Sequence, residues 1–176
     1  GAVDAIMMRV LDGFLAIPRV LFVIAILAAW NPVPVSGLIL LLGLTGWFDV
    51  SRLIRAEALS VRERDYVAAA RSLGAGSGRV ILRHLLPNVL VPLGVSTTIA
   101  AGNVLMLEAG LSFLGVGAHE PQASWGTLFW AGSEAFVGTW WGALFPGLAI
   151  VTTVLCFNIL GDALRQSLDP RHLRDA

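Results

Sequence analysis

An all-α integral membrane fold with about four transmembrane helices follows from three observations. The 176-residue chain is 56% hydrophobic and only 14% charged, with a mean hydropathy of +0.77, whereas an ordinary soluble domain carries about 25% charged residues. Its apolar residues gather into runs of roughly twenty, the length a helix needs to cross a hydrocarbon core about 30 Å thick. Within those runs, stretches such as Leu38-Ile39-Leu40-Leu41-Leu42 show none of the apolar/polar alternation of a membrane β-barrel strand.

Four stretches meet the length: residues 11–30, 34–53, 88–116 and 135–160. Prolines 18, 32, 34, 92 and 146 fall in or beside them and read as bends or boundaries, which membrane helices tolerate when neighbours satisfy the freed backbone groups. Gly138 and Gly142 form a G-x-x-x-G pair, a pattern that permits close helix approach. Residues 117–134 read as the long connection between the third and fourth spans. Its Trp125, Phe129 and Trp130 suit a membrane-interface belt or contact with a soluble binding protein. The first residue is Gly1 and no cleavable signal pattern follows it, so the sequence is expected to begin partway into a longer protein.

All twelve basic residues are arginine, and their placement orients the spans. Arg9 and Arg19 sit at the start of span one, seven arginines lie between Arg52 and Asn88, and Arg165, Arg171 and Arg174 follow span four. The two other connections have none. Because cytoplasmic flanks carry the Lys/Arg excess, both termini and the basic loop are expected inside.

That loop, residues 60–87, has internal order. Ser60-Val61-Arg62-Glu63 fits a capping box and predicts a helix start. Tyr66, Ala69, Ala70 and Leu73 recur at i, i+3, i+4 and i+7 as one small apolar face. Gly74-Ala75-Gly76-Ser77-Gly78 ends the helix. A second helical stretch over residues 79–86 runs into Pro87, a residue suited to a first helical turn. The expected product is a helix-turn-helix on the cytoplasmic membrane face. From the residues alone, it is either an interfacial loop pairing its arginines with anionic lipid or a docking element for a protein.

Composition also excludes classes. Without lysine the chain has no Walker A loop and no Schiff base, so Gly74-x-Gly76-x-Gly78 is not a nucleotide loop. The charge balances at 12 basic against 12 acidic residues, giving no signal for nucleic acid. Cys156 is the single cysteine and reads as a small buried hydrophobe. His84, His119 and His172 are scattered without metal-ligand spacing. No nucleophile, base and oxyanion donors assemble, so the chain is expected not to be an enzyme and to hold no cofactor or metal.

Ala69, Ala70, Gly74, Leu86 and Pro87 match, in identity and spacing, the E-A-A-x-x-x-G then I-x-L-P pattern of a permease loop. The chain thereby resembles the permease subunits of binding-protein-dependent ABC importers, in the branch serving dipeptides, oligopeptides and nickel. Ala68 stands where that motif has glutamate, and His84 where it has isoleucine. Residues 4–18 (DAIMMRVLDGFLAIP), 109–117, 121–126 (PQASWG) and 161–171 (GDALRQSLDPR) are similar to further family stretches in the same order. Members usually have six helices, so the resemblance implies that two N-terminal ones are missing from a single transmembrane domain spanning residues 1–176.

The resemblance implies alternating access in a plasma (inner) membrane of a bacterium or archaeon. Two homologous permeases form the path, and separate ABC ATPase subunits, which bind the ATP, drive it through the coupling loop. An extracytoplasmic binding protein would deliver the substrate. The implied coupling residues are Arg64, Asp65, Ala68, Ala69, Ala70, Arg71, Gly74, Leu86 and Pro87, with Arg64 and Arg71 facing acidic groups of the ATPase. Glu108 is the one carboxylate well inside a span, where a charge costs about 2.5–3.5 kcal/mol on insertion scales. It is therefore a candidate for the path or gate, as is Asn103, with a structural hydrogen bond or packing the rival role for each. Peptide transport is the expected function. The alternatives are nickel import by the same family, a secondary transporter, or a membrane scaffold using the loop for lipid.

Overall fold

A computed structural model describes residues 1–30, 33–117, 122–135 and 140–168, with the side chain of Leu168 left out. Every regular element among them is helical: α1 Ala2–Leu15, α2 Arg19–Ala29, α3 Val35–Arg62, α4 Asp65–Ser72, α5 Ser77–Val80, a π turn Ile81–Leu85, α6 Leu86–Phe113, α7 Trp125–Glu134 and α8 Trp141–Leu168. Among the described residues three helices are long and apolar enough to cross a membrane, and the bent pair α1 and α2 would make a fourth crossing. The apolar faces look outward. Leu144, Leu148, Val151, Leu155 and Ile159 form an exposed stripe on α8 at helical spacing.

The first expected span, residues 11–30, is not one straight helix. Proline fixes its own φ and disfavours helix in the residue before it, so α1 stops before Pro18 and α2 leaves at 80°. At 11 residues α2 is about 16 Å long, half a hydrocarbon core. Arg19, the first residue of α2, turns toward α3. Its Nη2 donates to the Leu42 carbonyl at 2.8 Å and its Nε to the Thr45 hydroxyl at 3.2 Å, so α3 satisfies it inside the bundle. α1 runs antiparallel along the second half of α3. Asp4 accepts two 2.8 Å bonds from Arg55, Asp12 pairs with Arg52 at 3.5 Å, and Phe14 stacks on Phe48 at 5.0 Å.

α3 also departs from expectation. It continues without a break to Arg62, about 42 Å in all, because residues 53–59 hold good helix formers and no glycine or proline. Ser60 and Glu63 therefore do not start a helix. The Ser60 carbonyl accepts from the Glu63 amide at 3.3 Å as α3 ends, and α4 begins behind Arg64 with no side-chain cap.

α5, the π turn and α6 form one helix of 37 residues, from Ser77 to Phe113. The expected separate stretch at 79–86 is its first turns. Pro87 lacks an amide proton and its ring crowds the carbonyl four residues back, and the wider π turn just ahead accommodates both effects. Asn88 Nδ2 donates to the His84 carbonyl at 2.7 Å across the same place.

The core joins α2, α3 and α6: Val23, Leu27, Leu38, Leu41, Leu42 and Leu111 are buried together. α8 packs along α6, with Gly102 against Phe157 and Gly161 against Thr98 and Ile99. Gly138 lies outside the described residues, while Gly142 meets Gly132 of α7 backbone to backbone. Cys156 is exposed on the outward face of α8 rather than buried.

Candidate functional site

The candidate residues fall at opposite ends of the bundle. At one end α4 is a two-turn helix with Asp65 in its first turn and Arg71 in its last, each charge complementing the helix dipole. It closes in a Schellman turn: the Ala75 amide donates to the Ala70 carbonyl at 3.0 Å and the Gly74 amide to Arg71 at 2.9 Å. Gly74 sits at φ +86°, a left-handed conformation that favours glycine.

One side chain anchors α4. Val67 is fully buried against Val61 at the end of α3 and Val80 of α5, with Ala75 and Leu85 packed around them. The Tyr66 ring adds a contact with His84, centroids 5.9 Å apart. The rest of the helix is left open. Leu73 is 89% exposed, and Tyr66, Ala68, Ala69, Arg64, Asp65 and Arg71 are exposed with it, while Ala70 is half-buried. The predicted apolar face 66/69/70/73 thus exists, but α4 is anchored through the edge that carries Val67, about 100° round the helix from Tyr66, and its Leu73 end stays open. Among the described residues, Arg64, Asp65 and Arg71 make no ion pair within the chain. Leu86 and Pro87 are exposed beyond the π turn and do not join the cluster under α4.

Sequence reasoning missed Val67. Within Tyr66-Val67-Ala68-Ala69-Ala70 its β-branched bulk was the available signal, since it is the one large aliphatic residue between Val61 and Leu73.

Toward the other end, Glu108 faces a groove of about 880 Å³ between α3 and α6, walled by Leu38, Leu42, Trp47, Val104 and Leu105 with Phe157 of α8. The Ser112 hydroxyl donates to its Oε1 at 2.7 Å. Ser112 is 2% exposed and lies beneath α7, where a side chain on Gly126 would strike the Ala109 carbonyl and the Ser112 Cβ. Asn103 opens on a different face of α6, beside Val20, Met106 and Leu107, so the two candidates do not meet. Gln122, Ala123 and Ser124 close the Glu108 end of the groove.

α7 itself occupies what the sequence suggested was loop. Ser124 accepts from the Thr127 amide at 3.2 Å, and the Thr127 hydroxyl accepts from the Ser124 amide at 2.9 Å, a reciprocal cap. The Ser-x-x-Thr spacing before Leu128 and Phe129 was its legible signal. His119 and the expected basic residues Arg171 and Arg174 lie outside the described residues. Among the described residues no three His, Cys, Asp or Glu side chains gather as a metal site.

The sequence profile of the family described as binding-protein-dependent transport system inner membrane component matches residues 1–174. A Brucella suis protein named as a peptide transport system permease is 45% identical over 168 residues, covering 96% of this chain and 56% of the relative. A Brucella ovis protein named as a peptide permease is 43% identical over 170 residues, with the same shares. The oligopeptide transport system permease protein OppC of Escherichia coli K12 is 34% identical over 171 residues, 97% of this chain and 56% of its own length. The chain therefore spans 56% of the length of each of these relatives.

Proposed function

This chain belongs to the family of binding-protein-dependent transport system inner membrane components, and from that premise we propose that it is the permease of an ATP-driven peptide importer, receiving force through α4. Peptide is preferred to nickel because the relatives above are named for peptides and oligopeptides. A second permease completes the path, ABC ATPase subunits act from the cytoplasmic side, and an extracytoplasmic binding protein supplies the cargo. The arginine distribution supports cytoplasmic termini, with α4 on the same side.

The observation that carries this reading is the two-sidedness of α4. Isolated helices this short are marginal in water, and a helix held by one valine and a glycine turn would have little reason to expose Leu73 and Tyr66 unless a partner covers them. An exposed apolar patch rimmed by charges suits a protein groove. α4 is wedged between the end of α3 and the start of the 37-residue helix. A push on it would move both long helices together, as rigid bodies.

The test is site-directed cross-linking in the assembled complex. With Cys156→Ser as background, Ser72→Cys is expected to form an adduct with the ATPase subunit, and peptide uptake into proteoliposomes is expected to require ATP. Absence of any adduct counts against coupling through α4. Uptake driven by an ion gradient without ATP would point instead to a secondary transporter.

A further inference from the structure

We propose that Glu108 receives the protonated amino terminus of the passing peptide, an inference that rests on the peptide-permease reading. The groove it faces is walled almost wholly by apolar side chains, and Glu108 is the one charged residue among its described lining. A carboxylate in apolar surroundings demands a cation or several donors. Among the described residues only Ser112 donates to it, and no described arginine lies within ion-pair distance. Ser112 is pinned beneath Gly126, so the carboxylate is held by a fixed donor rather than left to wander.

The chemistry of the missing partner follows from the surroundings. A divalent cation would need several oxygen ligands, and no cluster of acidic or histidine side chains accompanies Glu108 among the described residues. A primary ammonium needs one carboxylate and brings its own body, which apolar walls accept without regard to side-chain identity. A groove of 880 Å³ falls in the range of about 300–1,000 Å³ typical of small-ligand sites. Every unmodified peptide shares the ammonium, so one carboxylate can serve a mixed pool of cargo. Glu108 also lies 22 residues along α6 from Leu86, about 33 Å from the α4 end. With the arginine-based orientation, that is the outer mouth, where cargo arrives.

The test uses the full complex in proteoliposomes with its binding protein, comparing wild type, Glu108→Gln and Glu108→Asp. Uptake of trialanine and of N-acetyl-trialanine is measured, each normalised to wild type for the same peptide, so that the binding protein's own preference cancels. Glu108→Gln keeps the Ser112 bond but removes the charge. It is expected to lower trialanine uptake about tenfold, the worth of one charged hydrogen bond, and to leave the acetylated peptide unchanged. Glu108→Asp is expected to retain most trialanine uptake. Equal loss of both peptides would overturn the proposal and indicate packing or an ion pair with the second permease. Unchanged trialanine uptake in Glu108→Gln would overturn it too. An intact wild-type complex that imports no peptide would instead sink the underlying peptide reading, and this inference with it.

Discussion

The two short helices α4 and α7 are attached to the same bundle in opposite ways. α7 is locked by backbone: Gly132 lies against the Gly142–Ala143 backbone of α8, Gly126 lies against α6, and Ser124 and Thr127 cap its start. α4 is hung from one buried valine, ends in a left-handed glycine, and leaves most of its surface open. Glycine-to-backbone contact permits no intermediate geometry, because interfaces packed without side chains cannot repack. A single side chain in a small hydrophobic cluster can. The difference separates an element fixed in the bundle from one whose surface stays open, which is what the proposed docking role needs.

Four substitutions probe that contrast. Gly132→Leu should have the largest effect, since even a Cβ would overlap α8 backbone; a loss of about 3 kcal/mol or more should appear as little folded protein after detergent extraction. Val67→Ala removes two buried methyl carbons, worth about 1.5 kcal/mol. Its loss should show as faster amide exchange confined to residues 65–75, with melting of the bundle unchanged. Ser124→Ala deletes one half of the α7 cap and should cost about 1 kcal/mol, seen as a modest fall in melting temperature. Asp4→Asn should be nearly silent: the Arg55 pair is partly exposed on both sides, and solvent screens such a pair. What remains of its effect should vanish in high salt.

Much of this was legible in the sequence. The apolar runs located α3, α6 and α8, and Gly74 marked the end of α4. The pattern 66/69/70/73 identified a real apolar face, but periodicity cannot say how much of such a face meets the body, and here Val67 at its edge does so while Leu73 stays open. The bent first span hid because residues 11–30 keep their hydropathy through Pro18; only the backbone geometry of proline shows the 80° turn. The Ser60–Glu63 box failed for a related reason. A cap works only where the preceding residues leave the helix, and residues 53–59 do not. Glu108 stood out as an intramembrane charge, while its separation from Asn103 onto another face of α6 needed the three-dimensional helix.

Hydrogen exchange in a lipid nanodisc, read over residues 65–75 and over α7 with and without the ATPase subunit, tests the central claim most directly. Docking of α4 as proposed is expected to slow exchange several-fold in residues 65–75 when the ATPase binds and to leave α7 as it was, already protected. Unchanged exchange in residues 65–75, with the ATPase demonstrably bound, would contradict it.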